Sequence, residues 1–222
     1  MAEKTISLVS IMEGRIAQYQ FLSRLFQREM DEDYFTSMKT MRFPLNTGNS
    51  SVDEGYRLFH SYLSNAWERT LEDLEKDYLR VFLGSNTTAH AAAYPYESVH
   101  TSPERLIMQE ARDEVLLLYR AAGLARTDRW KDGEDHVALE LDFERILCER
   151  SLKAVNDNDD AAAHRLFTEQ YNFLLDHLLN WVPLLVEAME KFAKTDFYRA
   201  LARLTIGFLE VEKEFLEEIL EE

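Results

Sequence analysis

Tyr94-Pro95-Tyr96-Glu97-Ser98-Val99-His100-Thr101-Ser102 stands near the middle of a chain whose other segments mostly have helical periodicity. Pro95 fixes its own φ angle and favours an extended conformation for the residue before it. Ser102-Pro103 has the pattern of a helix N-cap followed by proline at the first helical position. We therefore predict a non-helical connection that carries two tyrosines, a carboxylate and a histidine. Loops on a rigid scaffold are where binding groups tend to lie, although most such loops are only connections.

The segments on both sides of this stretch predict helices, because apolar residues recur at spacings of three and four. Four helices are predicted on the N-terminal side. The first covers about 5–30, and the second begins at the cap Asp31 and ends at about Met41. The third begins at the capping box Ser51-Val52-Asp53-Glu54, and the fourth runs from Thr70 to a stop at Gly84. On the C-terminal side they run from Pro103 to Gly123, from about Asp135 to Val155, from the 156–160 turn to Trp181, from Pro183 onward, and from Asp196. We expect the longest non-helical run between about Gly84 and Ser102.

This pattern predicts an all-α fold of about nine or ten helices, with no convincing strand. No repeat of fixed period is evident, so the prediction is a single globular domain over residues 1–222. Trp181, one turn after His177, is expected to be a buried packing anchor. Trp130, in the charged connection 124–135, is expected to be exposed.

Composition narrows the class of protein. Hydrophobic residues at 46% exclude a disordered chain, and only 7 Gly and 4 Pro are too few for the turns of an all-β fold. The formal charge of −16 disfavours nucleic acid and anionic membrane surfaces as partners. One cysteine, Cys148, permits no internal disulfide and fits a reducing cytosol. Neither a signal peptide nor an apolar run long enough to span a bilayer is visible, so we expect a cytoplasmic location.

The sequence offers little for catalysis. It has no GxxxxGK[ST] or GxGxxG phosphate loop and no GxSxG nucleophile motif. A di-iron bundle needs two Glu-x-x-His motifs, and only Glu97-x-x-His100 is present. His136 and Glu140 have the i,i+4 spacing of a metal pair, although a histidine near a helix start with a nearby carboxylate is the more ordinary explanation. A metal or small-molecule enzyme using His136, Glu140 and Glu97 is therefore the alternative hypothesis.

Glu134-Asp135-His136 opens a predicted helix and places two acids where the helix dipole favours negative charge. Helix capping alone explains this pattern. The functional alternative is that Asp135 and His136 lie beside the 94–102 stretch and bind a polar ligand with it.

Four segments, in order along the chain, resemble the TorD/DmsD family of cytoplasmic maturation chaperones for molybdenum oxidoreductases. They are Asp77-Tyr78-Leu79-Arg80-Val81-Phe82-Leu83-Gly84, Tyr94-Pro95-Tyr96-Glu97-Ser98-Val99-His100, Glu134-Asp135-His136-Val137-Ala138-Leu139-Glu140-Leu141, and His177-Leu178 to Trp181-x-Pro183 followed by Phe197-Tyr198-Arg199-Ala200-Leu201. His100 differs from the family pattern, which usually has an aromatic residue there.

The resemblance implies a chaperone without enzymatic activity. Such a protein binds the twin-arginine signal peptide and the body of a molybdopterin oxidoreductase precursor, assists cofactor insertion and delays export. It also implies no resident cofactor, with weak guanine-nucleotide binding as a family property, and a monomer or a domain-swapped dimer. The residues implied for peptide binding are Tyr78, Arg80, Phe82, Gly84, Tyr96, Glu97, Ser98, Asp135 and His136.

The chemistry of a twin-arginine peptide fits these residues. Guanidinium groups are bound best by carboxylates in bidentate geometry, which favours Glu97 and Asp135. An apolar peptide segment needs an aromatic-lined groove, for which Tyr78, Phe82 and Tyr96 are candidates. Core packing is the alternative for Tyr78 and Phe82, because both lie on the apolar stripe of their helix. We expect Glu97 and Asp135 to converge on one groove and to be dispensable for folding.

Overall fold

The structure, a computed structural model, describes residues 7–84 and 92–221. These residues form ten α-helices and no strand: α1 Leu8–Gln27, α2 Glu32–Thr40, α3 Ser50–Ser64, α4 Thr70–Tyr78, α5 Glu97–Thr101, α6 Glu110–Ala121, α7 Val137–Asn156, α8 Asp160–Phe173, α9 Leu179–Phe192 and α10 Asp196–Glu221. Two π-helical segments extend this set: Leu79–Leu83 continues α4, and Leu174–Leu178 joins α8 to α9. The all-α prediction is confirmed. Among the described helices, none is long and apolar enough to cross a membrane.

The longest helix, α10, packs along α3 and also against α8 and α9, while α7 packs between α1 and α8. Two glycines bring α3 and α10 together. A Cβ at Gly55 would lie 2.8 Å from both the Cβ and the backbone N of Leu204. A Cβ at Gly207 would lie 2.8 Å from the backbone N of Val52. The absence of a side chain on each helix therefore permits a close backbone approach.

A second junction ties α4 to the turn between α9 and α10. The Asp77 carboxylate accepts hydrogen bonds from the backbone N–H groups of Lys194 at 3.0 Å and Thr195 at 2.7 Å. It also accepts one from the Thr195 hydroxyl and pairs with Arg80 at 2.5 Å. Asp77 is 1% exposed, so this carboxylate holds the start of α10 against α4.

A buried polar network lies between α1, α7, α8 and α10. Arg15 contacts Glu212 at 2.9 Å and Gln170 at 2.8 Å. Glu144 is fully buried beside them, and neither of its carboxyl oxygens has a hydrogen-bond partner within the described chain. Burial raises the pKa of Glu144 well above its ordinary value, partly opposed by the positive charge of Arg15. The network thus places in the core a carboxyl group whose burial favours its protonated form.

Several helix ends match the predictions from the sequence. Asp31 caps α2 and Asp159 caps α8, each with a side-chain oxygen that accepts a backbone N–H. Gly84 and Gly123 have φ values of +72° and +73°, as expected at helix stops. The prediction of a capping box at Ser51 was wrong. The N-cap of α3 is Asn49, whose side chain accepts from Ser51 N and Val52 N, so the helix begins earlier than predicted.

The region around the proline stretch differs from the prediction. Glu97–Thr101 is a short helix rather than loop, and α6 begins only at Glu110. The segment 122–136, between α6 and α7, is longer than the segment that separates Gly84 from α5. Part of the expected run, residues 85–91, lies outside the described residues.

The remaining corrections concern single residues. Pro183 lies inside α9 instead of starting a helix, because the change in helical register occurs earlier, in the π-helical segment before Leu179. Trp130 was predicted to be exposed, but its side chain is only 9% exposed. It is held in place because its indole N–H donates to the Gly133 carbonyl at 3.2 Å. Trp181 is fully buried, which confirms its expected role as a packing anchor.

Candidate functional site

The proline stretch and the start of α7 are joined by backbone hydrogen bonds. Glu97 N donates to the Asp135 carbonyl at 2.9 Å, and Val137 N donates to the Pro95 carbonyl at 2.9 Å. Tyr96 and His136 form an isolated antiparallel β-bridge between these bonds. The structure therefore brings together the two segments that the sequence assigned to one function.

The side chain of Asp135 strengthens this junction. It is fully buried, and its Oδ2 accepts a hydrogen bond from Ser98 N at 2.9 Å, at the beginning of α5. Ser98 Oγ in turn accepts a hydrogen bond from Gln109 N at 3.2 Å. One carboxylate thus fixes α5, and through Ser98 it also fixes the end of the loop that follows.

His136 is the N-cap of α7. Its Nδ1 accepts a hydrogen bond from Ala138 N at 3.0 Å, which requires an unprotonated nitrogen at that position. Burial lowers the pKa of His136 to about 4, although the Asp132 carboxylate opposes the shift. The ring lies edge-on to Tyr96 and Trp130, each 5.1 Å away between centroids. His136 is therefore a neutral structural residue that holds two aromatic rings.

Glu97 and Glu140 are buried and do not face a groove. Glu97 is 2% exposed, and its Oε2 lies 3.0 Å from His177 Nδ1. Glu140 Oε2 accepts a hydrogen bond from the Trp181 indole N–H at 2.9 Å. Burial, and then the negative charge of Glu97, raise the pKa of Glu140 well above its ordinary value. The Glu97 carboxylate is therefore part of the core, which argues against the expectation that it is dispensable for folding.

The proposed metal site is not formed in the part of the chain that the structure describes, where no group of three or more His, Cys, Asp or Glu side chains could hold a metal ion. The Nδ1 of His136 is occupied by the cap, and Glu140 is held by Trp181. The i,i+4 pair thus has separate structural roles.

The best candidate for a ligand contact is the other oxygen of Asp135. Asp135 Oδ1 is buried and has no hydrogen-bond partner among the described residues. It lies 2.6 Å from where a Cβ of Gly133 would be, so a side chain at position 133 would collide with this oxygen. The same position is 3.7 Å from Tyr96 Cδ1 and 3.8 Å from Met108 Cε. A buried acceptor without a partner is unfavourable, and a hydrogen-bond donor from a ligand would stabilise it.

A second carboxylate lies at the far end of the Tyr96 ring. The Tyr96 hydroxyl donates to Asp132 Oδ1 at 2.8 Å, and Asp132 is exposed to solvent. Burial and this hydrogen bond raise the pKa of Tyr96 above its ordinary value. Asp132, Tyr96, Gly133 and Asp135 therefore form a small acidic cluster in which Asp132 is exposed and Asp135 is fully buried. We call this group the acidic site.

Two of the four predicted residues of the first motif, Tyr78 and Phe82, are buried. Tyr78 is 7% exposed, and its hydroxyl donates to the Phe26 carbonyl at 3.1 Å. Burial raises the pKa of Tyr78 to about 12. Phe82 packs in the core with its ring 5.0 Å from that of Tyr78. Arg80 pairs with Asp77, and Gly84 donates its N–H to the Leu79 carbonyl to end the π-helical segment. Tyr78 and Phe82 thus belong to the hydrophobic core, which agrees with the core-packing alternative.

Sequence reasoning missed Asp132, Gly133 and Met108. The only signal in the sequence was position, since Asp132-Gly133 immediately precedes the Glu134-Asp135-His136 motif. Glu134 itself is clamped by Arg112 at 2.6 Å and Arg126 at 2.9 Å, which fixes the segment that carries the acidic site.

Comparison with known proteins adds an independent line of argument. A family profile described as nitrate reductase delta subunit matches residues 48–187. The chain is 29% identical over 217 residues to the chaperone protein TorD of Vibrio cholerae serotype O1, with 95% of each chain covered. It is 25% identical over 214 residues to the chaperone protein TorD of Photobacterium profundum, covering 94% of this chain and 96% of that one.

A solved structure from Archaeoglobus fulgidus, provisionally assigned as a redox enzyme maturation protein, aligns with a TM-score of 0.48 and 19% identity over 91% of this chain and 93% of that one. The curated relatives are named chaperones, so the enzyme hypothesis gains no support from them. The profile match covers more than half of the chain. The chain therefore belongs to the TorD family of chaperones, the family that the nitrate reductase delta subunit profile describes.

Proposed function

We propose that this maturation chaperone binds the twin-arginine signal peptide of a molybdopterin oxidoreductase precursor at the acidic site. Binding there would hold the precursor in the cytoplasm while its cofactor is inserted and would delay its export. The body of the precursor would make further contacts outside this site.

One observation carries the proposal: Asp135 Oδ1 is a buried carboxylate oxygen with no hydrogen-bond partner in the described chain, and a side chain at position 133 would collide with it. A guanidinium group supplies the N–H donors that this oxygen lacks and a positive charge that its burial favours. Asp132 offers a second carboxylate at the other end of the Tyr96 ring. Two nearby carboxylates, one exposed and one buried, suit a ligand with two adjacent cations.

The other predicted site residues would act by positioning. Ser98 N holds Asp135 Oδ2, so that Oδ1 is the oxygen left for the ligand. His136 holds the rings of Tyr96 and Trp130. Glu97 anchors α5 through His177. A site held this firmly loses little conformational entropy when the peptide binds.

Calorimetric titration of the full chain with the leader peptide of a molybdoenzyme precursor tests this function. The comparison peptide is the same leader with both arginines replaced by lysine. We expect the lysine leader to bind at least roughly tenfold more weakly than the arginine leader, because an ammonium group cannot make the bidentate contact. Equal affinity for the two leaders, or no binding of either, would refute arginine recognition by this chain.

A further inference from the structure

An open groove of about 530 Å³ lies between α4 and the start of α10. Two acidic side chains line it together with four basic ones, those of Lys76, Arg80, Lys194 and Arg199. In the chain as a whole the balance is reversed, with 25 lysines and arginines and 41 acidic residues. The groove is therefore locally basic on a strongly acidic protein. We call it the basic groove.

The two sides of the basic groove are held together by Asp77, which is 1% exposed. Its carboxylate pairs with Arg80 on one side and accepts hydrogen bonds from the backbone of Lys194 and Thr195 on the other. The contact with Lys194 uses only the backbone N–H of that residue. The Lys194 side chain is exposed and forms no ion pair within the described part of the chain. Its ammonium group therefore remains available to an anion from outside.

Two further cations of the groove have acidic partners at the surface. Arg199 Nη1 lies 2.9 Å from Asp196 Oδ1, and the two side chains are 44% and 55% exposed. Lys76 pairs with Glu72, where the exposed fractions are 53% and 45%. Exposed ion pairs contribute little to stability, because water and salt compete with them. A carboxylate from a partner can therefore replace Asp196 or Glu72 at little cost.

An exposed indole ring adds apolar surface to the lining of the groove. Trp67 is 55% exposed, and its backbone N donates to Thr70 Oγ1 at 2.8 Å. The guanidinium carbon of Arg69 lies 5.8 Å from the centroid of the ring. Tryptophan and arginine are enriched among the residues that carry most of the binding energy at protein interfaces. The groove thus offers positive charge and an aromatic contact side by side.

We propose that the basic groove binds a short acidic segment of a partner polypeptide, with carboxylates at Lys194 and Arg199 and an aromatic side chain against Trp67. The inference goes beyond the proposed function, and the groove shares no residue with the acidic site. A partner that is acidic over its whole surface would be repelled by the net charge of −16. A short segment escapes most of that repulsion, because salt screens exposed charges more than about 10 Å apart. The charge distribution therefore favours a short acidic stretch over a long polyanion.

Fluorescence anisotropy of the full chain with a labelled peptide, made of glutamates around a single tyrosine, tests the charge contact. Lys194→Glu should weaken binding of this peptide about tenfold, because it replaces an attraction by a repulsion in the groove. The matched control is Lys213→Glu in α10, where the side chain is 44% exposed. It changes the net charge by the same amount and should alter the affinity less than about twofold. An equal loss in both variants would assign the effect to net charge and overturn the proposal.

Trp67→Ala tests the aromatic contact separately from charge. This variant should bind the tyrosine-containing peptide about threefold to tenfold more weakly than the wild type does. A second peptide, with serine in place of the tyrosine, should bind the variant and the wild type equally. The same loss for both peptides, or no loss for either, would show that the segment does not lie against Trp67.

Other occupants of the groove give different results. Inorganic phosphate that displaces the peptide more effectively than sodium chloride of equal ionic strength would identify a site for small anions and overturn the proposal. A dimer of the wild type in sedimentation that Lys194→Glu abolishes would assign the groove to a second copy of the chain. The leader peptide should bind Lys194→Glu as tightly as the wild type, and a matching loss would make the groove part of the leader site. Failure of the wild type to bind the glutamate peptide at low ionic strength would refute the inference outright and leave the proposed function untouched.

Discussion

Glu97 Oε2 and His177 Nδ1 lie 3.0 Å apart in the core, in segments separated by 80 residues. Glu97 begins α5, and His177 lies in the π-helical segment between α8 and α9. Both side chains are nearly excluded from solvent, at 3% and 7% exposure. The contact fixes the proline stretch to the C-terminal helices, and it buries a residue that the sequence predicted to face a ligand.

Glu97→Ala should therefore destabilise the fold. Removing the carboxylate leaves the His177 ring nitrogen without its partner, and we expect a loss of about 1.5–3 kcal/mol in the free energy of unfolding. Urea denaturation followed by circular dichroism measures the change. The control is Glu104→Ala in the exposed loop nearby, which should shift the free energy by less than about 0.5 kcal/mol. Equal stability of the two variants would show that the buried contact is unimportant.

Two glycines in helices should respond to alanine in opposite directions. Gly55→Ala should destabilise by about 1–3 kcal/mol, because its Cβ would lie 2.8 Å from Leu204 atoms and force α3 away from α10. Gly14→Ala should stabilise by about 0.5–1 kcal/mol, because nothing lies within 4 Å of its Cβ position in α1. Thermal unfolding of both variants gives the comparison. Stabilisation by Gly55→Ala would contradict the close approach of α3 and α10.

Glu144→Gln should change how stability depends on pH. The pKa of Glu144 is raised by burial, so between the ordinary value of 4.5 and the raised value the folded chain binds a proton that the unfolded chain releases. The contribution of this group to stability is thus complete below pH 4.5 and declines as pH rises, by about 1.4 kcal/mol per pH unit. Glutamine cannot ionise and removes this slope.

The measurement is urea unfolding of wild type and Glu144→Gln at pH 5, 6 and 7. The stability of the variant relative to the wild type should increase at each step. A constant difference across the three values would mean that Glu144 is ionised in the folded protein.

Much of the fold could be predicted from local sequence signals. Asp31 and Asp159 are caps that work through their own side chains, and Gly84 and Gly123 are stops set by their own φ angles. The signal failed where a longer-range contact decides the structure. Ser102-Pro103 has an N-cap pattern, but the loop to Glu110 is held by the hydrogen bond from Gln109 to Ser98.

The site was predicted in part. Family motifs pointed to Asp135 and Tyr96, and the structure brings their segments together. The motifs could not show that Glu97 and His136 are buried, because a sequence motif does not reveal their hydrogen-bond partners, His177 and the Ala138 backbone. Asp132 and Gly133 were identified only from geometry: Asp132 accepts from the Tyr96 hydroxyl, and Gly133 lies against the unpartnered oxygen of Asp135.

The central claim is that a peptide arginine donates to Asp135, and a double-mutant cycle tests it most directly. Asp135→Asn is the suitable variant because an asparagine oxygen can still accept from Ser98 N while the free carboxylate oxygen becomes an amide. Asp128→Asn, at an exposed position in the preceding connection, is the matched control. Each protein is titrated with the wild-type leader and with leaders in which either arginine is replaced by glutamine.

We predict a coupling energy of about 1.5–3 kcal/mol between Asp135 and one of the two arginines, the range for a hydrogen bond to a charged group. Asp128 should show no coupling with either arginine. Additive effects of Asp135→Asn and both arginine substitutions, with the variant as stable as the wild type, would contradict the account and place the arginines elsewhere on the chain.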